Sequence, residues 1–244
     1  MHNQIGLLDT WLRESKSCVF FGGAGVSCES GIPDFRSTDG LYRTKWKENP
    51  ETILSATYFW HKQERFFEFY REKLLYPNAR PNPAHLALAR MEEMGLLSAV
   101  ITQNIDGLHQ AAGSKNVIEL HGSTLRNRCT HCGTFYSLDD VMHMPLVPMC
   151  HCGHVIKPEV TLYEEALPED ALEAASYFID RADMMLIGGT SLSVYPAAGF
   201  ARSFRGRIVI INKSPTPMDK AADLVIPHPI GQALGLWQDL YGRA

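Results

Sequence analysis

No apolar run in this 244-residue chain approaches the roughly 18 residues that a membrane-crossing helix needs. The longest, such as Met184–Ile187 and Ile208–Ile211, are strand-sized. The opening Met1-His2-Asn3-Gln4 has neither a basic leader nor an apolar core, so no secretory signal is expected and the expected compartment is the cytoplasm. Lysine and arginine form no dense run either. With 23 basic against 27 acidic side chains the net charge is −4, which excludes a dedicated nucleic-acid binder because neutralising phosphates takes a basic face. A basic peptide substrate remains compatible with that charge. Two catalytic signatures are also missing: none of Ser27, Ser30 and Ser191 sits in a Gly-x-Ser-x-Gly elbow, and no Gly-Lys-Ser/Thr could hold a triphosphate.

Cysteine is scarce and unevenly spread. Four of the six crowd together as Cys129, Cys132, Cys150 and Cys152, which in a chain of this expected compartment points to a metal rather than to disulfides. Four thiolates close a tetrahedral zinc site and leave no open position, so the metal is expected to be structural. Cys150-x₃-His154 competes with Cys150-x-Cys152 for the second pair of ligands. Cys152 is preferred because Cys152-Gly153 echoes Cys132-Gly133, and a glycine after the second ligand permits a tight turn. Cys18 and Cys28 read as a small buried hydrophobe and a packed loop thiol.

What is present is alternation. Short β-rich apolar runs (17–21, 98–102, 117–120, 184–188, 207–211, 224–226) alternate with amphipathic helical segments (4–15, 82–94, 168–181, 231–241), the pattern of an α/β fold with a Rossmann-like parallel sheet covered on both faces. Two stretches break the rhythm: an aromatic-rich one over 37–78, with a helix near 58–75, and the cysteine-bearing one over 125–157. Both read as inserts, 37–78 helical and 125–157 cysteine-bearing, that form a smaller domain. The larger domain, which carries the parallel sheet, then comprises 1–36, 79–124 and 158–244.

In such sheets ligands bind at the carboxyl ends of the strands. The first strand runs into Gly22-Gly23-Ala24-Gly25-Val26-Ser27, a turn open enough for backbone amides to approach a phosphate. The third glycine of a Gly-x-Gly-x-x-Gly fingerprint is replaced by Cys28, which disfavours a standard dehydrogenase. Other strands end in Gln103-Asn104-Ile105-Asp106, in His121-Gly122-Ser123, in Gly188-Gly189-Thr190-Ser191 and in Asn212. Together these favour a nucleotide pocket with a histidine available as general base beside it.

Gly23-Ala24-Gly25-Val26-Ser27, Gly31-Ile32-Pro33-Asp34-Phe35-Arg36, Thr102 to Asp106, Glu119-Leu120-His121-Gly122, the cysteine quartet and Gly189-Thr190-Ser191-Leu192 follow one another in the order expected of a sirtuin. Along nearly its whole length the chain resembles the NAD-dependent protein deacylases of that family, bacterial members in particular. The resemblance implies NAD as co-substrate, a structural Zn²⁺ and an acyl-lysine protein or peptide as partner. It puts Gly23, Ala24, Gly25, Asp34, Phe35 and Arg36 in the cofactor loop, and Gln103, Asn104 and Asp106 around the nicotinamide and its ribose. Gly189, Thr190, Ser191, Asn212 and Ile230 fall at the phosphates and adenosine half. It also implies that the acyl oxygen displaces nicotinamide at the ribose, that His121 and Asn104 are catalytic, and that the acyl group ends on ADP-ribose. The substrate chain would pair as a strand between Val160, Leu162 and Tyr163 on one side and Val194 and Tyr195 on the other.

One residue departs from the family pattern: Glu164 stands where glycine is usual, so Glu164-Glu165 is read either as an acidic flank that favours basic peptides or as a solvated pair. Acidic acyl groups are expected to be poor substrates, because the nearest match to a tyrosine-plus-arginine clamp is Tyr70 with Lys73. Two other functions fit the same motifs less well, a protein ADP-ribosyltransferase and a zinc-ribbon module that senses NAD without cleaving it.

Overall fold

The fold is taken from a computed structural model that describes residues 1–34, 46–193 and 197–241. Six parallel strands form the main sheet: β1 (Cys18–Gly22), β2 (Ala99–Thr102), β3 (Val117–Glu119), β7 (Met184–Gly188), β8 (Arg207–Ile211) and β9 (Leu224–Ile226), in the order β3-β2-β1-β7-β8-β9. A second, three-stranded antiparallel sheet contains β4 (Gly122–Cys129), β5 (Phe135–Ser137) and β6 (Ile156–Val160), with β4 in the middle.

β1 is buried at all five positions, as a central parallel strand must be, and its side chains alternate between two cores. Cys18 and Phe20 join Val100, Leu186, Val209 and Ile211 beneath α1 (His2–Glu14), α5 (Pro83–Glu93) and α10 (Ile230–Asp239). Val19 and Phe21 join Ile101, Ile187 and Ile210 on the opposite face, under α8 (Glu169–Ile179) and α9 (Ala197–Ser203). Each fully buried Phe or Leu contributes about 1.5–3 kcal/mol, so these two layers hold the sheet rigid and leave the loops at its carboxyl edge free for chemistry.

The aromatic-rich insert holds α2 (Pro50–Ile53), α3 (Ala56–His61) and α4 (Gln63–Lys73). The single helix expected near 58–75 is therefore two helices, broken at Lys62 (φ −139°, ψ 55°). Phe59, Phe66, Phe67 and Tyr70 keep helical spacing across the break and pack in one cluster with Val155 and Leu162. The guanidinium of Arg71 reaches from α4 to the carbonyls of Val141, Met144 and Pro145 at the end of α7 (Leu138–Met142), tying this insert to the cysteine-bearing one. The small sheet starts at Gly122 and ends at Val160, somewhat outside the 125–157 bounds read from the sequence.

α5 starts with a capping box in which Asn82 accepts from the Ala84 amide and the Asn82 amide donates to His85 Nδ1, with Pro83 at the first helical position. His85 Nδ1 is thus an acceptor and Nε2 carries the proton. That Nε2 and both ring nitrogens of His109, on α6 (Leu108–Ala111), are buried without a partner among the described residues, and the two ring centroids lie 4.8 Å apart. Burial pushes His85 down to about 4 and His109 down to about 3. Both stay neutral in the folded chain, whereas an unfolded histidine takes up a proton below about pH 6.5. The unfolded state therefore binds more protons, and stability falls as pH drops from about 6.5 toward 4, by up to about 1.4 kcal/mol per pH unit for each ring. Urea unfolding across that range should show the decline, and His109→Leu should flatten it. An unchanged slope in the variant would show that His109 is not the source.

Candidate active site

The sheet order reverses between β1 and β7, since the chain winds outward to β3 on one side and to β9 on the other; such a switch point opens a crevice at the carboxyl ends of the strands. Two glycine turns meet there. The Gly25 amide donates to the Gly189 carbonyl at 2.8 Å, and that of Gly23 to Gly188 at 3.4 Å. A Cβ on Gly25 would lie 2.8 Å from the Gly189 carbonyl oxygen, and one on Gly189, whose φ is +57°, would lie 2.3 Å from the Val26 nitrogen. The two main chains touch with no room for a side chain, so the mouth of the crevice is lined by backbone.

The residue set after β2 is tied to these turns. Gln103 Nε2 donates to Thr190 Oγ1 at 3.2 Å. Asn104, only 8% exposed, donates from Nδ2 to Ser27 Oγ at 3.0 Å, and Ser27 Oγ donates to Asp106 Oδ2 at 2.6 Å. The other Asp106 oxygen accepts the Leu108 amide at the start of α6. Ser27 is the residue that reading the strand ends missed as a site member. It is 1% exposed and joins Asn104 to Asp106 from the glycine turn opposite. The available signal was a hydroxyl inside an otherwise apolar glycine turn.

His121 follows β3 and lies beside this set, with Nδ1 2.9 Å from the Gln103 carbonyl. A carbonyl only accepts, so Nδ1 carries the proton and Nε2 is left with its lone pair as the basic nitrogen. Burial lowers the His121 pKa, partly opposed by that hydrogen bond, so the ring is a neutral base at pH 7. The next residue makes the position possible. Gly122 has φ +73°, and a Cβ there would lie 1.9 Å from the Glu159 carbonyl, so only glycine lets the chain turn from β3 into β4 so closely against β6.

Of the remaining expected cofactor residues, Ala24 lies inside the glycine turn and Asp34 follows it, with Asp34 Oδ2 3.8 Å from Cys28 Sγ. Asn212 follows β8 and donates to the Ser214 carbonyl at 2.6 Å. Ser191 is exposed beyond Thr190, and Ile230 is 2% exposed, in the core beside Gly188 at the start of α10. Phe35, Arg36, Val194 and Tyr195 lie outside the described residues.

The segment expected to receive a peptide is largely engaged within the chain. Val160 pairs with Gly122, the Leu162 side chain is 3% exposed in the aromatic cluster, and the Thr161 amide donates to the His121 carbonyl. Tyr163 forms a parallel bridge with Ser55, its amide donating to Leu54 and its carbonyl accepting from Ala56. The Glu164 and Glu165 carboxylates each accept a backbone amide of this chain, and Glu164 stays exposed. Glu164 Oε2 accepts the Thr57 amide at 2.9 Å, and Glu165 Oε2 accepts from the Leu162 amide at 2.8 Å and Lys157 Nζ at 3.0 Å.

The four cysteines converge at one end of the small sheet. All four Sγ atoms lie within 4.8 Å of one another, with Cys129–Cys152 at 3.4 Å and Cys132–Cys150 at 3.5 Å. Zn–S bonds of about 2.3 Å require tetrahedral edges of about 3.8 Å, so the quartet has the size and chemistry that Zn²⁺ takes. Gly133 and Gly153 both adopt left-handed φ, +71° and +83°, and close turns of different span, the Gly133 amide donating to the Cys129 carbonyl and that of Gly153 to the Cys150 carbonyl. His154 is not in that mutually close set: its Nδ1 lies 3.7 Å from Cys152 Sγ, and its ring stacks on His131 with 4.1 Å between centroids.

The Sir2 family model matches residues 23–196, a span that contains every one of these elements up to the second glycine turn. The chain belongs to the Sir2 family. Curated Sir2 relatives include the NAD-dependent protein deacetylase of Clostridium perfringens, 53% identical over 240 residues with 96% of this chain and 98% of that protein covered. That of Cutibacterium acnes is 53% identical over 232 residues, covering 93% and 95%. Among solved Sir2 structures, one with a p53 peptide and NAD⁺ superposes with a TM-score of 0.85 at 40% identity, covering 97% of this chain and 98% of the other. Another, with a deacetylated p53 peptide and 3′-O-acetyl ADP ribose, reaches 0.90 at 38%, covering 98% and 99%. Within the family frame the parallel sheet is the Rossmann-like part and the antiparallel sheet with its four cysteines is the ribbon.

Proposed function

We propose that the protein is an NAD-dependent protein-lysine deacetylase that moves the acetyl group to ADP-ribose and releases nicotinamide. The observation that carries this reading is the neutral His121, its Nε2 basic, set at the switch point beside the Asn104–Ser27–Asp106 chain of hydrogen bonds and the Gln103–Thr190 pair. Gln103, Asn104 and Asp106 hold the nicotinamide end, and the backbone of Gly23, Ala24 and Gly25 with Gly189, Thr190 and Ser191 holds the phosphates. Asn212 and Ile230 serve the adenosine side, and Asp34, Phe35 and Arg36 complete the loop over the pocket. Bound NAD supplies an electrophilic ribose carbon, a leaving group and a hydroxyl that accepts the acyl group. His121 Nε2 removes the proton from that hydroxyl, while Asn104, held by Ser27, orients the ribose. An acyl-lysine peptide lies along Val160, Tyr163 and the following turn, with Val194 and Tyr195 opposite and Leu162 supporting from behind.

In this reading the inserts 37–78 and 125–157 form the smaller domain, as the Arg71 contacts favour, and the quartet holds one structural Zn²⁺ remote from the chemistry. Thiolate ligation of that kind suits the reducing cytoplasm, where we place the enzyme. Incubation with an acetyl-lysine peptide and NAD should yield equal amounts of nicotinamide, free lysine peptide and acetyl-ADP-ribose. Nicotinamide release with ADP-ribose left on protein would overturn the proposal.

The acyl pocket should favour short neutral groups. Tyr70 is 1% exposed and stacked on Phe66, Lys73 Nζ is paired with Glu72 at 2.8 Å, and Arg71 is spent on carbonyls. None of these three residues offers a bidentate cationic fork to offset burial of an acidic acyl group. In competition on one peptide, kcat/KM for acetyl-lysine should exceed that for succinyl-lysine by more than about tenfold. A preference for succinyl would mean that a cation reaches the pocket.

A further inference from the structure

Among the described residues only two that are not glycine adopt a left-handed backbone, Glu164 (φ +75°) and Leu192 (φ +52°). They stand at the two arms between which the peptide is placed: Glu164 directly follows Val160–Tyr163, and Leu192 comes just before Ser193, Val194 and Tyr195. Backbone strain at non-glycine residues persists only where surrounding contacts hold it, and it gathers at ligand clamps. Leu192 is held by burial, at 1% exposed. Glu164 is exposed, so its conformation has to be held by something other than packing.

Its side chain does this. The Leu162–Glu165 turn closes with the Glu165 amide donating to the Leu162 carbonyl at 3.0 Å, and places Glu164 third of its four residues, where glycine is ordinarily favoured. The first three amides of α3 are all satisfied, and two of the three acceptors come from this turn. The Ala56 amide donates to the Tyr163 carbonyl at 3.0 Å, the Thr57 amide to Glu164 Oε2 at 2.9 Å, and the Tyr58 amide to Ser55 Oγ at 3.2 Å. The carboxylate therefore spends its charge on the positive end of α3, and that contact lowers its pKa. In exchange the turn is fixed to the helical insert by a side-chain bond that glycine could not make.

We infer that Glu164 is a positioning residue for the acyl-lysine peptide: its carboxylate, bonded to the Thr57 amide, anchors the turn that forms one wall of the peptide groove to α3. This rests on the deacetylase reading for the identity of the peptide, and on geometry alone for the anchor. Three substitutions separate its parts. Glu164→Gly removes the bond and the strain, Glu164→Ala removes the bond and keeps the strain, and Glu164→Gln keeps an acceptor without the charge.

The experiment measures, in the full-length chain, the Kd of a fluorescent acetyl-lysine peptide, the peptide and NAD KM values, kcat, and hydrogen exchange over the segment containing Thr57. Loss of the anchor in the Gly and Ala variants should weaken peptide binding and raise peptide KM by about tenfold, the effect of one charge-assisted hydrogen bond. The same two variants should speed exchange at Thr57 while kcat and the NAD KM move by less than about twofold. Glu164→Gln should recover most of the binding. If Glu164→Gly binds the peptide as tightly as the unaltered chain, the inference is wrong, because a merely conformational role predicts that glycine is as good or better. A parallel rise in the NAD KM overturns it too, since that marks general loosening. A chain that binds the peptide but releases no nicotinamide sinks the deacetylase reading while the Kd comparison still decides the anchor; a chain that binds no peptide overturns both.

Discussion

His121→Ala should reduce deacetylation by about 10²- to 10⁴-fold, the usual cost of deleting a positioned general base. The fold should survive, because the ring makes its hydrogen bond to a backbone carbonyl, Gln103, while the strand turn depends on Gly122 and on the His121 carbonyl bound to Thr161. Nicotinamide exchange should fall less, since the displacement that releases nicotinamide does not consume the base. The pH profile carries an independent signature. Burial lowers the His121 pKa, so the base form persists below the ordinary histidine value and the acid limb of kcat/KM should lie below about pH 6.5. A variant that keeps more than about half the turnover would remove His121 from the mechanism.

The second large effect concerns the cysteines. Cys152→Ala should abolish stoichiometric zinc and unfold the ribbon, whereas His154→Ala should retain the metal. With one ligand gone, three sulfurs remain around an open coordination position, and the small cluster of Val141, Ile156 and the buried cysteines is too slight to hold β4, β5 and β6 by itself. Structural zinc in peptides of this kind contributes about 10–16 kcal/mol of apparent binding free energy, far more than so few apolar contacts. Metal analysis by mass spectrometry with far-ultraviolet circular dichroism would decide. Full zinc retention in Cys152→Ala would hand the fourth position to His154.

Much of this was legible in the sequence because the signals were of the right kind. The strand runs 184–188, 207–211 and 224–226 match β7, β8 and the edge strand β9 residue for residue, since the strands of a covered parallel sheet are short continuous apolar runs ended by glycine or polar residues. The break at Lys62 was not legible. Neither Pro nor Gly marks it, and the aromatic spacing continues across it unchanged, so periodicity alone reads one helix. Ser27 escaped because its importance lies in two partners 77 and 79 residues away, contacts that only the sheet order creates. The bonds of the Glu164 and Glu165 carboxylates were hidden for the same reason: a sequence records their charge and not the Thr57 and Leu162 amides that donate to them.

The contact between the two glycine turns bears on how this site can change over time. When a buried side chain is enlarged, a shrinking neighbour often makes room, and pairs of substitutions can exchange volume. Gly25 and Gly189 have no such escape, since what each would strike is the other's main chain or that of Val26, which no substitution can trim. Neither position can drift alone or with its partner. Under the proposed reading, a different nucleotide specificity is reached through the side chains around the crevice, at Gln103, Ser191 or Asn212, and leaves the two backbone turns as they stand.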